Sequence, residues 1–233
     1  MQENINEYAL IVAGGSGSRM KSSIPKQFVE IGGLPVLMHT ISAFILYSNN
    51  ISIILVLPEN QINRWDQLCA LHNFSVPHLI VAGGACRTDS VINGLKHIVK
   101  EGIVAIHDGV RPFVGKEIIK AGFEAAKIHG NAVAAVPLKD SIRQVKGGHS
   151  TAVERSEYIL VQTPQTFMVS QIKQAYEKYN ESFTDDATVA ENAGHHIHLI
   201  KGGYENIKIT TPEDLIYAEA ILKTPSFGRW QGL

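Results

Sequence analysis

Residues 8–20 read YALIVAGGSGSRM, and this stretch decides the fold. Its unbroken apolar run predicts a strand buried on both faces, as in a parallel sheet. The glycines that follow allow a turn in which backbone N–H groups approach phosphate oxygens closely, although a tight turn without a ligand is the alternative. The turn lacks the Gly-Lys-Ser/Thr of a P-loop, and Met20 stands where the dinucleotide fingerprint has its last glycine. Other residues must therefore decide whether this turn binds phosphate.

Apolar runs alternate with amphipathic segments along most of the chain. Further strands are predicted at 51–57, 78–82, 103–107, 132–136 and 196–200. Helices are predicted at 35–47, 61–72, 87–100 and 116–129. This order predicts an α/β fold with a doubly wound, mostly parallel sheet. In such sheets ligands bind beyond the carboxyl ends of the strands, so functional residues are expected directly after them.

The composition is that of an ordinary globular protein. The chain has 233 residues, with 21 Lys and Arg against 22 Asp and Glu and a net charge of −1. One compact domain over 1–233 is expected. The near-zero charge predicts no nucleic-acid or membrane partner, and the lack of a signal-like or membrane-spanning run predicts a cytoplasmic protein. Cys69 and Cys86 lack the spacing of a disulfide framework or zinc site.

The segment 138–158 departs from the alternating pattern. Asp140–Val145 and Ser150–Arg155 flank Gly147-Gly148, a turn typical of a β-hairpin, and both flanks carry polar residues on either side. A hairpin without a core of its own is marginal in isolation. We therefore expect an arm that packs on something else, such as a second subunit.

Cations and an acid follow several predicted strands. Arg19 and Lys26 lie on the loop after the first strand, and Pro25 restricts the backbone just before Lys26. A second glycine turn, Gly83-Gly84, precedes a helix, and Asp108 and Arg111 follow another buried strand. Such an arginine suits a phosphate, whereas the aspartate could hold a metal or hydroxyl or merely form a turn. These positions favour phosphate binding.

Nine motifs occur in order along nearly the whole chain. They are AGGSGSRM, PKQF, AGGACRTDSV, HDGVRPF, PLKDSI, an arm ending near Arg155, TPQTF, FTDDA and NIKITTPEDL. Together they resemble the 2-C-methyl-D-erythritol 4-phosphate cytidylyltransferases of the non-mevalonate isoprenoid pathway. Ribitol-5-phosphate cytidylyltransferases share much of the set and are the alternative, but NIKITTPEDL is more similar to the erythritol enzymes.

The resemblance implies a Rossmann-like nucleotidyltransferase fold and an enzyme that transfers a cytidylyl group from CTP to a polyol phosphate, releasing pyrophosphate. It implies Mg²⁺, held mainly by the CTP phosphates with Asp108 as a possible ligand, and a homodimer formed through the arm. A nicotinamide dehydrogenase would need the complete dinucleotide fingerprint and an acid about 20 residues further on, whereas Ser48-Asn49-Asn50, just before the second predicted strand, contain no acid. A non-catalytic nucleotide-binding protein would have no evident need for Arg19, Lys26 and Lys208 together.

The resemblance also implies residue roles. Arg19 and Lys26 are the expected catalytic residues. The expected nucleotide-binding residues are Ala13, Gly14, Gly15, Gly17, Gly84, Ser90 and Lys208. The expected substrate-binding residues are Asp108, Arg111, Ser141, Arg155 and Thr163, and Lys208 is also expected near the sugar phosphate. Ser141 stands where the family often has threonine, Gly109 where it often has alanine, and Glu205 where aspartate is common.

Overall fold

A computed structural model describes residues 5–14, 24–178, 183–224 and 227. The strands are β1 (Asn6–Val12), β2 (Glu30–Ile31), β3 (Leu34–Pro35), β4 (Ser52–Leu57), β5 (Leu79–Ala82), β6 (Gly102–Asp108), β7 (Asn131–Pro137), β8 (Arg143–Lys146), β9 (His149–Ala152), β10 (Ile159–Met168) and β11 (Leu199–Lys201). The α-helices are α1 (Val36–Tyr47), α2 (Ile62–Leu71), α3 (Arg87–Lys96), α4 (Lys116–His129), α5 (Val169–Glu177), α6 (Asp186–Asn192) and α7 (Pro212–Leu222).

Seven of these strands form one sheet in the order β11-β7-β10-β6-β1-β4-β5. All neighbours pair in parallel except β10, which runs antiparallel to both β6 and β7. Helices bury both faces of the sheet. The consecutive β1 residues Leu10 and Ile11 point to opposite faces, and each is fully buried in a different apolar cluster. The prediction of a mostly parallel α/β sheet is confirmed. The carboxyl ends of β1, β4, β5 and β6 lie along one edge, where the pocket described below opens.

The long strand β10 was not predicted from the sequence. Its sequence ILVQTPQTFM carries polar residues and a proline at its centre, which argues against a buried strand. In the structure Gln162, Thr163 and Gln165 are buried, and each forms hydrogen bonds with neighbouring elements. Hydrogen bonds to other elements therefore compensate these polar side chains for the water that they lose on burial, and the sequence pattern alone does not show these bonds.

Among the predicted strands of the main sheet and the helices between them, two boundaries differ from the prediction by three residues or more. The strand expected from 196 begins only at Leu199, because the Asn131 side chain bonds both the carbonyl of His196 and the N–H of His198, at 2.9 Å each. An amide side chain thus replaces strand pairing there. The helix expected to reach residue 100 ends at Lys96.

The predicted hairpin is present as β8 and β9. All eight of its strand residues are exposed, and Gly147 and Gly148 adopt positive φ values of 58° and 79°, as a tight hairpin turn requires. Its role in dimerisation stays a prediction. Both cysteines are free, and none of the helices in the described ranges is long and apolar enough to cross a bilayer.

Candidate functional site

A cavity of about 360 Å³ lies at the carboxyl edge of the sheet. Its lining comes from the ends of β1, β5 and β6 and from the segments that follow them. The residues that line it are Val12, Ala13, Gly14, Lys26, Gln27, Gly84, Ala85, Cys86, Arg87, Ser90, Asp108, Val110 and Lys208. Seven of the fourteen site residues named from the sequence are among them: Ala13, Gly14, Lys26, Gly84, Ser90, Asp108 and Lys208.

The first glycine turn lies at one wall of the cavity. Ala13 and Gly14 line it directly, and the N–H of Ala13 donates to the carbonyl of Val56 at 2.9 Å. Lys26 opens a short 3-10 helix that Pro25 precedes with φ −54°, and this turn directs Lys26 to the cavity. The predicted residues Gly15, Gly17 and Arg19 lie outside the described residues.

The second glycine turn forms the opposite wall. The Ser90 hydroxyl accepts a hydrogen bond from the N–H of Gly84 at 3.1 Å and donates to the carbonyl of Cys86 at 2.9 Å. Cys86 caps α3, since its Sγ accepts from the N–H of Asp89 while the Asp89 carboxylate accepts from the N–H of Cys86. Ser90 thus shapes the turn. A Cβ on Gly84 would collide with Asp89, so only glycine fits here.

Three charged side chains meet beyond β6 at the floor of the cavity. Oδ2 of Asp108 lies 3.1 Å from both Nε of Arg111 and Nζ of Lys208. Burial alone would raise the pKa of Asp108, but Lys208 and Arg111 lower it more, so its pKa lies well below the usual range. Arg111 also donates to the carbonyl of Asn206 at 2.8 Å, which ties the segment carrying Lys208 to β6. The expected grouping of Asp108, Arg111 and Lys208 is therefore present.

Thr163 lies behind this group rather than in the cavity. The Arg111 carbonyl can only accept, so His107 donates to it from Nε2, and His107 Nδ1 accepts from the Thr163 hydroxyl at 3.1 Å. The hydroxyl oxygen in turn accepts from the N–H of Asp108 at 3.1 Å. Burial lowers the pKa of His107 to about 4, which keeps the ring neutral. Thr163 is thereby placed to orient Asp108.

The two arm residues lie apart from the cavity of their own chain. Ser141 and Arg155 are exposed at the base of the arm, and Arg155 donates to the carbonyl of Lys139 at 2.6 Å. Neither lines the cavity.

The site residues predicted from the sequence omit six lining residues, and three of these carry functional groups in their side chains: Gln27, Cys86 and Arg87. Gln27 is buried and donates to the carbonyl of Ala13 at 3.1 Å, which joins the first loop to the end of β1. Arg87 forms a two-point ion pair with Asp186. The available signal was their position inside the motifs PKQF and AGGACRTDSV, but Asp186, the partner of Arg87, lies 99 residues away in sequence.

The family described as IspD, 2-C-methyl-D-erythritol 4-phosphate cytidylyltransferase, matches residues 8–224. The chain belongs to this family. It is an enzyme of the nucleotidyltransferase class, as the motifs predict. The family assignment covers every described residue of the cavity, so the two glycine turns and the Asp108 group lie within the family's own domain.

Individual relatives agree with the IspD assignment. A 2-C-methyl-D-erythritol 4-phosphate cytidylyltransferase from Bacteroides thetaiotaomicron is 48% identical over 94% of this chain and 100% of its own. One from Porphyromonas gingivalis is 46% identical over 92% and 97%. Among solved structures, the 4-diphosphocytidyl-2C-methyl-D-erythritol synthase of Anaerococcus prevotii superposes with a TM-score of 0.81 at 29% identity, covering 94% of this chain and 97% of its own.

Proposed function

We propose that this IspD-family enzyme transfers the cytidylyl group of CTP to 2-C-methyl-D-erythritol 4-phosphate inside the cavity at the sheet edge. The observation that supports this most is the grouping of two glycine turns with Lys26 and Lys208 around one cavity, with Arg111 paired to Asp108 at its floor. A chain with a net charge of −1 thereby concentrates positive charge where two polyanionic substrates have to meet.

The reaction needs positioning and charge more than proton transfer. An oxygen of the sugar phosphate attacks the α-phosphorus of CTP, a new P–O bond forms, the bond to the β-phosphate oxygen breaks, and pyrophosphate leaves. The second pKa of a phosphate monoester is about 6, so the nucleophile is largely deprotonated at neutral pH. No general base is required, and His107 is turned away from the cavity into a hydrogen-bond network.

Each cation has a proposed place in this reaction. Lys26, together with Arg19, stabilises the triphosphate and the charge that develops at phosphorus. The turn of Gly84 and Ser90 receives cytosine, and its narrowness disfavours purines. Lys208 and Arg111 face the sugar phosphate, with Asp108 between them.

A divalent cation such as Mg²⁺ fits this site as a companion of CTP. Among the described lining residues Asp108 is the one carboxylate, and no group of three or more metal-binding side chains occurs within the described ranges. Mg²⁺ commonly binds substrate phosphates and only one or two carboxylates. Asp108 is thus the protein ligand available, and the ion would neutralise triphosphate charge when bound.

The active unit is proposed to be a homodimer whose arms serve each other's sites. Ser141 and Arg155 are exposed and do not line their own cavity, yet the family resemblance assigns both to the substrate. Tyr158, at the end of the arm, and residues 159–161, at the start of β10, form an exposed apolar run, which suits coverage by a partner. A cytoplasmic location remains a prediction from the sequence.

Pyrophosphate release tests the proposed function. The purified chain is given CTP and Mg²⁺ with either 2-C-methyl-D-erythritol 4-phosphate or ribitol 5-phosphate. We expect release with the erythritol phosphate and little with the ribitol phosphate. Exclusive activity with ribitol 5-phosphate would overturn the substrate assignment, and no release with either would overturn the cytidylyl transfer itself.

A further inference from the structure

A buried ion pair joins the second glycine turn to helix α6. Nη1 and Nη2 of Arg87, the first residue of α3, lie 2.9 and 2.6 Å from the two carboxylate oxygens of Asp186. The Asp186 side chain is fully buried, whereas that of Arg87 is 23% exposed and lines the cavity. Among the residues that the structure describes, Arg87 is therefore the one that links Asp186 to the cavity.

Two other side chains, those of Tyr176 and Gln165, hold Asp186 in place. Its Oδ1 accepts from the Tyr176 hydroxyl at 2.5 Å, and the N–H groups of Asp186 and Ala187 both donate to Oε1 of Gln165, at 2.9 and 2.8 Å. Gln165 lies on β10, in the middle of the sheet. The carboxylate is thus fixed relative to the sheet, and its two oxygens match the planar fork of a guanidinium.

We infer that Asp186 is a positioning residue for the nucleotide, acting through Arg87; this inference rests on the proposed function. Arg87 follows Ala85 and Cys86, two residues of the cavity wall, and begins the helix whose Ser90 shapes the turn at Gly84. A displaced Arg87 would shift this wall and lose a cation from the cavity. The sugar-phosphate group around Asp108 is held by β6 and the segment of Asn206, and Arg87 lowers the pKa of Asp108 less than Lys208 and Arg111 do, so this group should be less affected.

The neighbouring residue Asp185 offers a matched control. Its carboxylate caps α6 by accepting from the N–H of Thr188 at 3.1 Å and also accepts from Gln165 Nε2 at 3.1 Å. It supports the same helix end but forms no contact with Arg87 in the described structure. A purely structural role of α6 would make the two aspartates equivalent for CTP binding, whereas the inferred role makes them different.

The test compares Asp186→Asn and Asp185→Asn with the wild type. Calorimetry gives the Kd for CTP, steady-state kinetics give KM for each substrate, and urea unfolding gives the stability. We expect Asp186→Asn to raise Kd and KM for CTP about tenfold while KM for the sugar phosphate changes less than twofold. Asp185→Asn should lower the unfolding midpoint and leave the Kd for CTP within twofold.

Arg87→Lys keeps the test decisive if Asp186→Asn does not fold. It retains the charge but loses the two-nitrogen fork, and it should show the same tenfold rise. An unchanged Kd for CTP in the folded variants, or an equal rise in both aspartate variants, would overturn the inference. Turnover by the wild-type protein would still support the proposed function in that case. A wild type that binds no CTP would overturn the proposed function and this inference with it.

Discussion

Asp108 controls the charge at the floor of the cavity. Its carboxylate accepts from Arg111 and Lys208, and the low pKa that these cations impose keeps it ionised throughout the neutral and mildly acidic range. The free protein therefore holds two cations partly neutralised. An incoming phosphate has to compete with Asp108 for Lys208. The Lys208 side chain is 40% exposed, so a phosphate can reach its ammonium group from the solvent side.

Replacing Lys26 should impair turnover far more than folding. Lys26→Ala removes a charge proposed to act on the transition state, and loss of one such donor costs about 3–4 kcal/mol, or roughly 10²–10³ in kcat. Lys120→Ala is the control, since Lys120 is exposed and forms only a 3.9 Å surface pair with Glu124. Steady-state kinetics and urea unfolding measure both effects, and near-normal kcat in Lys26→Ala would remove Lys26 from the catalytic residues.

The buried ring of His107 should make the protein less stable in acid. The folded-state pKa of about 4 lies below an unfolded value of about 6.5. Between these values the unfolded chain binds a proton that the folded chain does not. The contribution of neutral His107 to the free energy of unfolding is therefore fully present above pH 6.5 and declines by about 1.4 kcal/mol per pH unit below it.

The variant His107→Gln isolates this effect. It should be less stable than wild type at pH 7, and the difference in unfolding free energy should shrink by up to about 3 kcal/mol as the pH falls to 4. Urea unfolding at several pH values measures the difference. A gap that stays constant with pH would show that His107 is not the group responsible.

At the scale of whole elements, sequence patterns predicted the parallel strands and their helices well. Apolar runs and glycine turns are local signals, and they located the ends of β1, β5 and β6 where the cavity forms. They also led to Lys26 and Asp108, whereas Lys208 was found only through the family resemblance. They could not reveal β10, because its buried glutamines and threonines are stabilised by tertiary contacts. Nor could they reveal the Arg87–Asp186 pair, whose members lie 99 residues apart.

Adding a methyl group to the second glycine turn should weaken CTP binding. A Cβ on Gly84 would collide with Asp89 and push the turn away from its present position, so Gly84→Ala should raise KM for CTP about tenfold or more. Gly115→Ala is the control, because a Cβ there meets nothing within 4 Å. Kinetics with CTP and ATP measure the effect. An unchanged KM for CTP, or equal use of ATP by the wild type, would mean that this turn does not select the base.

At the scale of the whole molecule, the arm is the part that one chain does not explain. Its strands are fully exposed, and its base presents Arg155 away from the cavity. Nothing within the described ranges packs on β8 and β9 as a core, which is unusual for a persistent hairpin. The shared sites of the proposed homodimer would account for both facts.

Mixing two inactive variants tests shared sites. If arms serve the partner's cavity, a dimer of Lys26→Ala with Arg155→Ala has one site carrying both changes and one carrying neither. Activity should then return after subunit exchange, to about half of wild type per mixed dimer. Pyrophosphate release before and after exchange measures the recovery, with each variant alone as the control. Verified exchange without recovery would mean that each site is built within one chain.

The antiparallel direction of β10 has a consequence for how this protein can be altered. Ile159 pairs with Pro137, so segment 138–158 leaves and re-enters the sheet at adjacent positions on the same edge. A parallel strand in that place would need a crossover connection back to the opposite edge. The segment is therefore a suitable insertion point. A short turn, a longer hairpin or a foreign recognition loop could be grafted between Pro137 and Ile159 without changing the order or direction of any strand in the sheet.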